Sequence, residues 1–137
     1  MGSPILVSGA AGTAGGALPV TADYSGTFNA SATSGKFALF NAVNTNLACG
    51  SELAGTLVDK IAYGTATCFE GTVCGGLTTT SGAVRNLGGM TDTDNNASDF
   101  TVTTSPVPHN KNSATNPNCS VVPTRTSTWG AIKSIYR

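Results

Sequence analysis

The sequence predicts an all-β fold of two packed sheets. Only 10% of its 137 residues are charged, against roughly 25% in an average soluble protein. The polar burden falls instead on 21 Thr, 13 Ser, 11 Asn and 17 Gly. Threonine suits a pleated, half-buried surface, whereas glycine and asparagine suit tight turns. The apolar runs are short, regularly spaced and bounded by Gly, Ser, Thr or Asn, which points to a sandwich and not to βαβ units.

In chain order these runs are 4–8, 36–43, 56–63, 66–69, 83–87 and 99–103. The first continues into "ILVSGAAGTAGGAL" (5–18), where Gly9, Gly12 and Gly15 imitate the spacing of a dinucleotide-binding turn. Such a turn needs a helix directly behind it to hold the pyrophosphate. Here Pro19 follows and would break that helix, so the stretch reads as a strand entering a Gly-rich surface loop. In the second run Phe37 and Leu39 alternate with Lys36, Ala38 and Phe40, which suits a strand covered on both sides. In the third, Leu57, Asp59, Ile61 and Tyr63 share one face and Val58, Lys60 and Ala62 the other, so neither face is purely apolar and the register is weakly specified.

From 105 to 128 the composition shifts to Pro, Asn, Ser and Thr, the mark of an extended or loosely docked linker. The chain closes with "TSTWGAIKSIYR". Trp129, Ile132, Ile135 and Tyr136 recur at three- and four-residue spacing, giving a short amphipathic helix capped by Ser127 or Thr128, or an extended segment docked through Trp129. The expected organisation is a sandwich over 1–104, a linker over 105–128 and a docking segment over 129–137.

Formal net charge is zero, so the chain exerts no global pull on nucleic acid or anionic lipid. No run approaches the ~20 apolar residues that span a bilayer. No acid follows Asp99, while Lys111, Arg125, Lys133 and Arg137 leave the C-terminal stretch basic. Cys49, Cys68, Cys74 and Cys119 lack the short paired spacing of a zinc site, so two disulfides are expected, with three connectivities open. Disulfides place the chain outside the cell or on its surface. Met1-Gly2-Ser3-Pro4 has neither the basic start nor the apolar core of a signal peptide, so a removed leader or unusual export goes with that expectation.

Within "DTDNNASDF" (92–100), Asp92, Asp94 and Asn96 match the first three side-chain positions of a calcium loop. The match then fails, with Ala97 in place of the glycine and Thr103 in place of the bidentate glutamate. An Asx-rich turn accounts for the same residues, so Ca2+ at Asp92, Asp94 and Asn96 and a purely structural turn both stand. His109, between prolines and asparagines, has no carboxylate context for a triad. Asp59 and Glu70 carry no other mark of a glycosidase pair. No catalytic residues are assigned. Asn29, Asn96 and Asn118 each begin an N-x-Ser sequon.

"TLVDKIAYGTATCFEG" (56–71) and "AVRNLGGMTDTDNNASDF" (83–100) resemble the bacterial lamin-tail domain, and "SGKFALFN" (34–41) resembles its preceding strand. The likeness spans about residues 5–112. It implies an immunoglobulin-like β-sandwich, a non-catalytic module of secreted or surface proteins, with Val58, Ile61, Tyr63, Phe69 and Phe100 in the core. Such modules accompany extracellular nucleases or phosphatases, so an accessory role, contacting polysaccharide, DNA or the cell surface, is the alternative. Met90 stands where the family often has Cys, and Cys74 lies in the loop, so no disulfide pairing carries over. Lys60 replaces a usually apolar residue. The family's opening strands have no counterpart, which leaves edges to be completed by the 101–137 tail or by a strand from a neighbouring subunit. The leading expectation is a self-assembling structural or adhesive protein, a homo-oligomer or polymer of fibre or surface-layer type. Pro4, Ile5, Leu6, Val7, Trp129, Ile132, Ile135 and Tyr136 are its expected assembly residues.

Overall fold

The computed structural model describes residues 4–10, 12, 16–43 and 56–114. Among the described residues, six strands form three two-stranded sheets: β1 (Val7–Ser8) with β2 (Tyr24–Ser25), β3 (Gly35–Phe40) with β4 (Leu57–Tyr63), and β5 (Gly82–Arg85) with β6 (Phe100–Thr103). A four-residue turn, Asn86–Gly89, follows β5, and one helical turn, Asn96–Asp99, leads into β6. The all-β expectation holds at this level. Among the described residues, no helix is long and apolar enough to cross a membrane.

β3 and β4 are antiparallel, with Phe37 opposite Ile61 and Leu39 opposite Asp59, and a bulge between Leu39 and Phe40. The far edge of β4 is closed without a full strand. The Asn96 side chain pairs with it as a peptide would: Nδ2 donates to the Lys60 carbonyl at 2.8 Å and Oδ1 accepts from the Ala62 N–H at 2.9 Å. Just beyond, the Cys74 N–H donates to the Ala62 carbonyl and the Gly64 N–H to the Cys74 carbonyl, at 2.8 and 3.2 Å. Gly64 has φ +67, and a Cβ there would sit 2.0 Å from the Thr33 carbonyl oxygen. Only glycine lets the chain leave β4 at this angle.

Several expectations fail here for physical reasons. The run 66–69 is not a strand, because Cys68 turns the backbone at φ 66. β2 went unforeseen; it pairs in parallel with β1, and Asp23 beside it accepts the Leu6 N–H at 3.0 Å. β3 is not covered on both sides, since Phe37 and Leu39 are 46% and 61% exposed. Of the core implied by the family resemblance, Tyr63 is buried but Val58 and Phe69 are exposed. The buried apolar set among the described residues is Ala62, Tyr63 and Cys74.

In the glycine-rich opening, Gly9 serves packing. Phe28 lies against Gly9 so closely that a Cβ there would meet its carbonyl oxygen at 2.7 Å and its ring at 2.8 Å. That ring meets Phe37 edge to face, with centroids 6.0 Å apart. The described part of the 105–128 stretch docks on the body: the Asn110 amide donates to the Thr21 carbonyl at 3.0 Å and the Lys111 N–H to Asp23 at 2.9 Å. Burial of Asn110 beside the first strands ties the two ends of the described chain together.

Candidate functional site

The lone carboxylate on the apolar face of β4 needs a partner, because a half-buried charge is costly unpaired. Asp59 finds one in Arg85, the only arginine before residue 125. Arg85 Nη2 reaches both Asp59 oxygens at 2.6 and 2.5 Å. Its Nη1 donates to the Thr91 carbonyl at 2.7 Å, and the guanidinium lies 4.4 Å from the centroid of the Phe100 ring. Asp92 and Asp99 stand at 3.6 and 3.9 Å from Nη1. With its side chain 13% exposed, Arg85 joins β4, β5, β6 and the 91–99 loop. The planar fork of arginine suits this many-sided role; a lysine point charge does not.

Asp99, not Asp92 or Asp94, organises the acidic loop. Its carboxylate is buried and accepts the Thr93 N–H at 3.0 Å, the Thr93 hydroxyl at 2.8 Å and the Asn95 N–H at 3.3 Å. Burial pushes this carboxyl up, but the Thr93 and Asn95 hydrogen bonds and the Arg85 charge outweigh it and hold the group below its ordinary value. Asn95 caps the helical turn, accepting from the Ala97 N–H at 3.2 Å and the Thr72 N–H at 3.3 Å.

The expected calcium set is not a convergent group. Asn96 is fully buried with its amide turned towards β4, bonded to the Ala62 N–H, the Lys60 carbonyl and the Glu70 carboxylate. Asp92 is exposed and leans towards Arg85. Asp94 is exposed at a left-handed position, φ 54. Among the described residues, no three His, Cys, Asp or Glu side chains are grouped to hold a metal ion. The Asx-turn alternative describes the geometry: Asp99 gathers the N–H groups and Asn96 is a strand-edge clasp. Glu70, which accepts from Asn96 Nδ2 at 3.2 Å, is raised above its ordinary value by burial, against the Asn96 bond, with Asp59 and Asp94 adding to the rise.

The cysteines depart from two bridges. Cys74 is a free, buried thiol locked into the β4 edge, and burial pushes its pKa up. A thiol so placed is inert packing. Cys49 and Cys119 lie outside the described residues, as do Trp129, Ile132, Ile135 and Tyr136. Of the opening assembly residues, Pro4 and Leu6 are half-buried, Val7 pairs with Tyr24 in this same chain, and Ile5 and Val7 present exposed side chains. His109 is exposed in the docked 105–114 segment.

Sequence reasoning missed Arg85, Asp23 and Asn110 as anchors. The unpaired Asp59 on an apolar face was the available signal for the first. The strongest arrangement on the surface is apolar: fifteen large hydrophobic side chains are exposed among the described residues, Leu39, Phe37, Ile5, Val7 and Tyr24 among them. No family model, no curated protein and no solved structure matches the chain.

Proposed function

We propose that the chain is a non-enzymatic, secreted structural module, an immunoglobulin-like sandwich of the lamin-tail kind, that works by self-assembly outside the cell. The observation that carries this reading is the inverted burial. Three apolar residues are buried among those described while fifteen large ones are exposed, and large exposed apolar patches mark interaction surfaces.

Two further features support it. The buried or half-buried ionisable groups Asp59, Arg85 and Asp99 face backbone and one another, which is the economy of a scaffold. Four cysteines in a chain of 137 residues fit an oxidising compartment. The test is light scattering coupled to size exclusion on the native protein, with negative-stain imaging. Oligomers or filaments are the expected outcome, and a monodisperse monomer at every concentration overturns the reading.

A further inference from the structure

Strand β1 uses one of its two edges. Leu6, Ser8 and Ala10 turn their backbone groups towards residues 23–28. The Leu6 N–H donates to Asp23 at 3.0 Å, and the Leu6 carbonyl accepts the Asp23 and Tyr24 N–H groups at 2.8 and 3.1 Å. The Ser8 carbonyl accepts the Gly26 N–H at 2.8 Å, and the Ala10 N–H donates to the Phe28 carbonyl at 2.9 Å. Backbone groups alternate from side to side along a strand, so Ile5, Val7 and Gly9 present theirs to the other edge. None of those groups is hydrogen-bonded among the described residues. The side chains above them are apolar and open: Ile5 is 63% exposed, Val7 52%, and Tyr24, paired with Val7, 64%.

Natural proteins guard such an edge with charge, proline or a bulge. Here no charged side chain precedes Asp23, and Asp23 itself is turned inwards, held by the Leu6 and Lys111 N–H groups. Pro4 is in phase with Leu6 and Ser8, so its missing N–H falls on the occupied edge and leaves the outer one intact. An uncharged edge offers a charged partner no complement, but a second copy of itself meets it without like-charge repulsion. It is also its own geometric complement. Antiparallel about a two-fold axis at Val7, the two Val7 residues exchange both backbone hydrogen bonds, and Ile5 exchanges both with Gly9 of the partner subunit.

We propose that the outer edge of β1 pairs antiparallel with the same edge of a second copy, joining two β1–β2 pairs into one four-stranded sheet. This rests on the self-assembly proposed above and names its surface and its occupant. A two-stranded sheet is marginal by itself, so the pairing supplies what the described chain lacks on this side. The contact is isologous and closes as a dimer, the unit from which any larger assembly is built.

The experiment uses the full-length chain and three substitutions at one position, read by sedimentation velocity and by oxidative cross-linking. Val7→Pro removes an outward N–H and no bond within the chain, and is expected to weaken dimerisation roughly tenfold or more. Val7→Thr keeps the N–H and the β-branch, and is expected to dimerise within a few-fold of the native chain. Equal losses in the two variants would overturn strand pairing in favour of a purely apolar contact. Val7→Cys tests the register without relying on the proline variant's fold. Opposed residues lie about 5.5 Å apart between Cα atoms, within disulfide reach, so a new covalent dimer is expected that Tyr24→Cys does not give. Native oligomers with no cross-link at Val7→Cys overturn this contact and leave self-assembly standing. A native chain that stays monomeric overturns both proposals.

Discussion

The two sides of the β3–β4 pair are built on opposite principles. On the β4 side, polar groups close the structure: the Asn96 amide stands in for a strand, Asp99 gathers the loop N–H groups, and Arg85 ties three strands together. On β3, apolar groups stand partly in water: Leu39 is exposed, and Phe37 is exposed on the side away from Phe28. A small domain usually hides its hydrophobic side chains and wears its polar ones. Among the described residues the buried set includes Asn96, Asp99 and Asn110, as many as the apolar residues that accompany them. The difference teaches that internal order and apolar burial can be served by different surfaces of one chain. Polar satisfaction organises the described fold, and much of the apolar surface takes no part in it.

The largest effect that would sharpen this comparison is expected at Arg85. Arg85→Ala strips Asp59 of its bidentate partner, frees the Thr91 carbonyl and removes the cation over Phe100. Because the Asp59 side chain is 37% exposed, the loss is mainly that of charge-assisted hydrogen bonds, about 1.5–3 kcal/mol, with the Phe100 contact adding about 0.5–1 kcal/mol, a sizeable share of the stability of a small domain. Chemical denaturation at fixed protein concentration measures it. Arg85→Lys keeps the charge but not the fork, and recovers only part of the loss. Next is Asn96→Asp, which keeps the acceptor for the Ala62 N–H and loses the donor to the Lys60 carbonyl. It also sets a second carboxylate against Glu70. A loss of about 1–3 kcal/mol is expected, shrinking as the pH falls and one carboxyl protonates.

Those two residues also show how far the sequence could be read. The strands β3 to β6 were legible because alternation and bounding turn residues are local properties. The location of the acidic loop was legible too, since Asp92, Asp94 and Asn96 stand within five positions. Its role was not. A spacing that suits cation ligation equally suits an Asx turn, and the choice depends on where the Asn96 amide points. That direction is set by Lys60 and Ala62, 36 and 34 residues away. The run 66–69 misled for the opposite reason: its residues favour a strand, but Cys68 takes a left-handed conformation that composition does not announce.

A smaller effect, and one of reversed sign, is expected at Glu70. Its carboxyl is raised by burial, so folding disfavours its ionised form. The cost is absent below its ordinary value and grows as the pH rises through the folded value. Glu70→Gln keeps the acceptor for Asn96 and is expected to raise Tm at neutral pH, with the gain vanishing near pH 4. Asp99 and Asp23 act in the other direction. Asp23 is lowered by the Leu6 N–H, against some burial, and by Lys111; Asp99 is lowered as described. Their stabilisation is present above roughly pH 4 and is lost as the pH falls through their depressed values. A pH series of melts on native protein and Glu70→Gln separates the two contributions.

The smallest effect belongs to β3. Leu39→Ser removes a side chain 61% exposed on β3, and a surface change of this kind moves stability by about 0.5 kcal/mol or less. Dilute samples, in which association is negligible, give the relevant measurement. A loss comparable to that of Asn96→Asp would mean that Leu39 is packed, and the contrast between the two sides would collapse. A negligible loss in dilute samples, growing with protein concentration, would locate the worth of Leu39 in the contact between copies, since stability linked to association rises with the partner's concentration.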